Sequence, residues 1–246
     1  MSFAGKVALV TGSGKNIGRA IALDLATRGA SLVINGRSDQ AAIDAVVAEI
    51  NAAGDQAIGC LADISDPAAT QRMVQAAIAV FGGLDIVVSN AGLRRQTPFL
   101  EMSLAEWREI LSVALDGAFI LCRAAVPHML GRGGGAIIGL SGISTHIGTP
   151  NRCHVSASKA GLEGLMRALA VELAPHGITC NAVAPGAVDT VRGVTAGLRP
   201  QRLATIPLGR QAVTEEIAAA VRFLAGPDGR FVTGQTLHVN GGAFLT

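Results

Sequence analysis

Short apolar runs separated by amphipathic stretches set the rhythm of this chain. "KVALV" (6–10) reads as a buried strand, and from Asn16 to Arg28 the residues Ile17, Ile21 and Leu25 recur at i+4 steps, the face of a helix. "SLVIN" (31–35) is the next strand, and Asp39 stands where it can cap a helix running to Ala53. "AIGCLA" (57–62), "LDIVVS" (84–89), "AIIGLS" (136–141), "ITCNAVA" (178–184) and "TLHVN" (236–240) continue the strand series. Helices are predicted between them over 67–81, 103–130, 154–174 and 214–225. Seven strands alternating with helices predict an α/β fold: one doubly wound (Rossmann) parallel sheet, flanked by helices and forming a single domain over 1–246. The stretch 187–212, rich in Thr, Arg, Gly and Pro, follows a strand's carboxyl end, where such folds carry a substrate lid.

Composition narrows the function classes. Half the residues are hydrophobic, 15% are charged and 31 are glycine, which suits a buried sheet with tight strand-to-helix turns. Net charge is +2 with no basic block, so nothing favours a nucleic-acid surface. No unbroken apolar run approaches the roughly 18 to 20 residues of a membrane span, and the first residues lack the pattern of a signal peptide. Cys60, Cys122, Cys153 and Cys180 lie far apart without a C-x-x-C, so they read as small hydrophobes rather than metal ligands or disulfides. A reduced cytoplasm is the expected location.

"TGSGKNIG" (11–18) joins the first strand to the first helix. Gly12 permits a tight turn, Gly18 permits close helix packing, and the helix N-terminus offers free N–H groups to a pyrophosphate. It is not a P-loop, because Leu9 stands at that motif's first glycine and Asn16 at its Ser or Thr. At the end of the second strand "NGRS" puts Gly36 where a carboxylate would select a free ribose 2′-hydroxyl. Arg37 follows, and Lys15 adds a second cation. Two cations and no carboxylate favour NADP(H) over NAD(H).

The chain resembles the short-chain dehydrogenase/reductase family from end to end. Thr11, Gly12 and Gly18 match its T-G-x-x-x-G-x-G turn, with Asn16 in place of the middle glycine; Asn tolerates positive φ better than most residues. "ADIS" (62–65), "SNAG" (89–92), "APGAVDT" (184–190) and "TGQTLHVNGG" (233–242) match further motifs in family order. The resemblance implies a cofactor site built from the turn (Gly12, Lys15, Asn16, Ile17, Gly18) and from Asp63 and Ile64 beside the adenine. It adds Asn90, Ala91 and Gly92, and then Pro185, Gly186, Val188 and Thr190 beside the nicotinamide. It also implies a homotetramer paired through the long helices, and the same surfaces would suit a hetero-oligomer with a homologue.

The resemblance implies a Ser, a Tyr and a Lys for proton handling, helped by an Asn. Here "VSASK" keeps Lys159, but Val155 holds the tyrosine position, Gly142 the serine position and Ala114 the asparagine position, and the chain has no tyrosine anywhere. Ser141 is next to Gly142, yet a strand slipped by one residue would be needed to turn it to that face. Lys159 then reads as a clamp on the cofactor's ribose. His146 is the candidate replacement acid, with His154 behind it. Cys153 has no evident base, and Asp116 and Asp189 read as surface or turn residues. Arg94 and Arg95, with Arg152 and Arg192 on the same rim, would grip an anionic small-molecule substrate if they face the pocket. Three readings stay open: an NADP(H)-dependent oxidoreductase with a non-standard proton route, a catalytically silent subunit that binds an active homologue, and a non-redox or ligand-sensing protein.

Overall fold

In the computed structural model, which describes residues 2–191 and 206–246, β1 (Val7–Val10) lies near the centre of a seven-stranded sheet. The remaining strands are β2 (Ser31–Gly36), β3 (Ala57–Leu61), β4 (Ile86–Ser89), β5 (Gly135–Leu140), β6 (Ile178–Pro185) and β7 (Thr236–Val239). Their order is β3-β2-β1-β4-β5-β6-β7, and all neighbours are parallel. The order reverses between β1 and β4, so a crevice opens beyond their carboxyl ends, where such folds bind ligands.

The predicted helices appear as α1 (Asn16–Ala26), α2 (Gln40–Ala52), α3 (Pro67–Phe81), α7 (Cys153–Leu173) and α8 (Thr214–Ala225), with a short α6 (Ser144–Ile147) after β5. Asp39 caps α2 as expected, its carboxylate accepting from the Ala42 N–H. The stretch 103–130 is not one regular helix. It runs as α4 (Leu104–Leu111), a wider π-turn (Ser112–Asp116) and α5 (Gly117–Gly131). Single π-turns of this kind tend to mark functional positions, and this one carries Ala114. Together Leu104–Gly131 are long and apolar enough to cross a bilayer by length and composition, the one such segment among the described residues. Ile110, Ala118, Leu121, Ala125 and Met129 from this segment are, however, wholly buried inside the protein.

Both sheet faces are covered. One core gathers Ala8, Val10, Ile21, Leu25, Leu32, Ile34, Val221 and Leu224 under α1, α2 and α8. The other gathers Leu9, Val33, Met73, Val87, Leu121, Ile137, Leu162 and Met166 under α3, α5 and α7. Neighbouring strand residues serve opposite faces, so apolar runs without alternation are required. At the amino end of the sheet the buried Asp85 accepts from the Val7 N–H, Lys6 and Arg132. Burial by itself would raise its pKa, but these donors hold it below the ordinary value. Most of the expected lid at 187–212, with Arg192, lies outside the described residues.

Candidate active site

The glycine turn is shaped by backbone contacts that leave no room for other residues. A Cβ on Gly18 would lie 2.4 Å from the Gly12 carbonyl oxygen and 2.6 Å from Asn90 Nδ2. Asn16 takes up φ +52°, the left-handed region that the middle glycine of the turn would otherwise serve. Its side chain makes a two-way bond with the Val191 backbone, donating to the carbonyl at 2.9 Å and accepting from the N–H at 2.9 Å. Two side-chain amides, Asn35 buried and Asn90 half-buried, brace the turn. Asn35 Oδ1 accepts from the Gly12 N–H while Asn35 Nδ2 donates to the Cys60 and Ala62 carbonyls. Asn90 Nδ2 donates to the carbonyls of Thr11 and Gly12. No side chain caps the N-terminus of α1, so its first N–H groups are left for an anionic ligand.

A cleft of about 590 Å³ runs from this turn across the switch point. At one end it is bordered by Gly36, Arg37, Ser38, Asp39 and Lys15; both cations are exposed, and the Asp39 carboxylate accepts from the Ala42 N–H. Asp63 and Ile64 border the next section, the Asp63 carboxylate held by the Ser65 N–H and hydroxyl. Ile17, Asn90, Ala91 and Gly92 form the floor, and Pro185, Gly186 and Val188 close the far wall. Thr190 is buried and accepts from Arg94 instead of bordering the cleft. These features fit a dinucleotide: an uncapped helix start, glycine approaches that a side chain would fill, and cations where a 2′-phosphate would lie.

At the reaction end, Lys159 and Val155 stand one turn apart on α7 and both border the cleft. Lys159 Nζ donates to the Leu140 carbonyl, and a Cβ on Gly92 would sit 3.4 Å from it. Burial, and secondly the nearby Arg94 charge, lowers the Lys159 pKa to about 8. Ala114, buried on the π-turn, approaches the same point: its Cβ would lie 3.9 Å from that Gly92 Cβ. Gly142 is open, since a Cβ there would meet only Ser144 Oγ, at 3.8 Å. The Ser144 hydroxyl therefore stands near the place the sequence leaves bare. Sequence reading missed it because it lies two residues on, in the turn of α6.

Neither histidine candidate borders the cleft. His146 does not border the cleft; its Nε2 donates to Glu163 at 3.0 Å, and its ring packs against His238 and Phe244. The turn of α6 carries it past the cleft to the buried Glu163 of α7. His154 is fully buried and bonds Glu106 on α4 at 3.2 Å, about 100° around the helix from Val155. Cys153 contacts Met102 instead of a base. Arg95 is tied to Glu109 at 2.7 Å and turns from the cleft, whereas Arg94 and Arg152 border it. Asp116 and Asp189 are exposed. Among the described residues no group of three or more His, Cys, Asp or Glu could hold a metal ion. Ser141 needs no slipped strand: its N–H keeps the β6 register by donating to Val183, and the residue still borders the cleft.

A parallel sheet with this switch-point cleft and glycine turn defines a dinucleotide-binding Rossmann protein. The chain belongs to the short-chain dehydrogenase/reductase family. The model of the family described as enoyl-(acyl carrier protein) reductase matches residues 12–243. A 3-oxoacyl-[acyl-carrier-protein] reductase of Staphylococcus aureus is 39% identical, covering 98% of each chain. The enzyme of that name from Escherichia coli is 38% identical over the whole of both chains. Among solved structures, a short chain dehydrogenase from Burkholderia cenocepacia in complex with NADP superimposes with a TM-score of 0.91, at 35% identity over 99% of each chain. A blue fluorescent protein from a metagenomic library, in complex with NADPH, gives 0.92 at 35% identity over 100% of each.

Proposed function

We propose that this chain is an NADP(H)-dependent oxidoreductase that moves hydride to or from a small carbonyl, imine or alcohol, with a proton source other than a phenol. One observation carries the reading: a single cleft is bordered by Arg37, Asp63, Asn90, Pro185 and Lys159 together. Arg37, Ser38 and Lys15 would hold the 2′-phosphate, the α1 N-terminus the pyrophosphate, and Lys159 the ribose beside the nicotinamide. NADP(H), when bound, would supply the hydride. The protein's own residues orient the two partners and handle the proton. Val155 shields the reacting face from water but has no proton to give. Ser144, at the open Gly142 position, is placed to hold the substrate oxygen. Arg94 and Arg152 would attract an anionic group, and the named activity of the relatives makes a 3-oxoacyl thioester the first substrate to try. The reading takes the protein to be a cytoplasmic homotetramer, which light scattering on the purified protein tests.

Titration of the purified chain with NADPH and NADH, followed by turnover of 3-oxoacyl thioesters, ketones and imines monitored through the nicotinamide absorbance, tests the proposal. Tight NADPH binding with turnover supports it; equal or tighter NADH binding removes the cofactor assignment. A second reading, a silent subunit paired with an active homologue, is favoured by Ala114, Gly142 and Val155 occupying all three family positions around Lys159. Co-purification of a stoichiometric homologue, with no turnover by the lone chain, would select it.

A further inference from the structure

Behind the bare reaction end lies a connected set of titratable side chains that the nucleotide cradle does not use. Glu163 projects from α7 one turn beyond Lys159 and is only 4% exposed. Its Oε1 accepts from Ser141 Oγ at 2.5 Å and from His146 Nε2 at 3.0 Å. Arg167 faces its other oxygen from 3.9 Å, and Thr145 Oγ1 stands 3.5 Å from Ser141 Oγ. On the outer side, the His238 ring from β7 meets His146 edge-on at 4.5 Å between centroids, and Phe244 closes the group. The two ends of this chain of bonds differ in surroundings. Ser141 borders the cleft, while the His146 side chain keeps 22% exposure. A carboxylate in such a position costs more than an apolar side chain of the same volume, so packing gives no reason for it.

We propose that Ser141 delivers the proton at the reaction end and that Glu163 and His146 replenish it. The inference rests on the reading of the cleft as a carbonyl-reducing site. The missing side chain at Gly142 leaves the cleft open beside Ser141, so a substrate oxygen held there comes within reach of the serine hydroxyl. As the carbonyl carbon gains hydride, its oxygen takes the Ser141 proton and the serine O–H bond breaks. For this the serine O–H leaves the Glu163 carboxylate and turns to the substrate oxygen; the His146 imidazolium then gives its proton to Glu163 Oε1, which passes it to the Ser141 alkoxide, leaving neutral His146 and the Glu163 carboxylate. His146 then takes a proton from solvent. One hydride and one proton are consumed per carbonyl, and the reverse order of transfers serves alcohol oxidation. Ser141 touches the substrate in this scheme; Glu163 and His146 act through it.

Glu163→Gln and Ser141→Ala test the relay with an acetoacetyl thioester and NADPH. Each is expected to lower kcat about 10²-fold, within the range of a positioned general acid, with KM and the NADPH Kd held within about twofold. The double variant should lose no more than either single one, because the three groups act as a unit. His146→Ala should lose activity that added imidazole restores. Unchanged kcat in both single variants would overturn the relay and leave the proposed function standing, as would a His146→Ala loss that imidazole does not restore. If Glu163→Gln does not fold, Ser141→Ala decides the matter. A wild-type chain that binds NADPH but turns over no carbonyl overturns the relay and the proposed function together.

Discussion

The two ends of the cleft are built on different terms. At the nucleotide end, sequence and geometry lock together: Gly18 cannot carry a Cβ, Asn16 holds a positive φ, and Asn35 and Asn90 brace the turn through main-chain groups. At the reaction end, Gly142 is open and Val155 sits where the family resemblance expects a phenol, so little there depends on backbone shape. The difference teaches that binding and proton transfer have separable requirements. A pyrophosphate needs N–H groups and close approach, which a glycine turn supplies. A proton needs one titratable side chain, which can stand elsewhere.

The largest test of this contrast is to refill the reaction end. Val155→Tyr with Gly142→Ser should raise NADPH-dependent ketone reduction by about 10²–10⁴-fold, the range of a positioned acid; a steady-state assay showing no gain would mean that Lys159 is not poised for a phenol. Breaking the other end comes next. Gly18→Ala drives a Cβ into the Gly12 carbonyl oxygen and should cost about 3 kcal/mol, together with NADPH binding, both readable by thermal melts with and without the dinucleotide. Arg37→Glu should weaken NADPH about 10- to 100-fold, the worth of one charge-assisted bond, while sparing NADH; calorimetric titration separates the two.

The smallest effect is a pH slope. The Lys159 pKa falls from 10.5 to about 8 in the folded protein, so between these values the unfolded chain binds more protons. Folding stability should therefore rise with pH through that window, the penalty being full below about 8 and relieved as pH approaches 10.5. Denaturant titrations at several pH values would detect the slope, and Lys159→Met should flatten it.

Much of the cradle was legible because its chemistry is local. Gly12, Asn16 and Gly18 lie in one turn, Arg37 follows one strand tip, and Lys159 is one helical turn from Val155. The break in 103–130 was not legible, since α4, the π-turn and α5 share one apolar pattern and only the packing around Ala114 distinguishes them. His146 looked like an acid for the cleft because it is close in sequence to Gly142. The turn of α6 decided otherwise by carrying the ring past the cleft toward Glu163. Glu163 itself gave no signal, as one carboxylate in an amphipathic helix ordinarily faces water.

The sequence alone determined the order of strands and helices, the glycine turn and the absence of a phenol, because period, glycine placement and residue identity are properties of short stretches. The tertiary structure decided which side chains meet. Ser141 from a strand end, His146 from a short turn and Glu163 from the long helix converge only once the sheet and α7 pack, since hydrogen bonds act over about 3 Å whatever the separation along the chain.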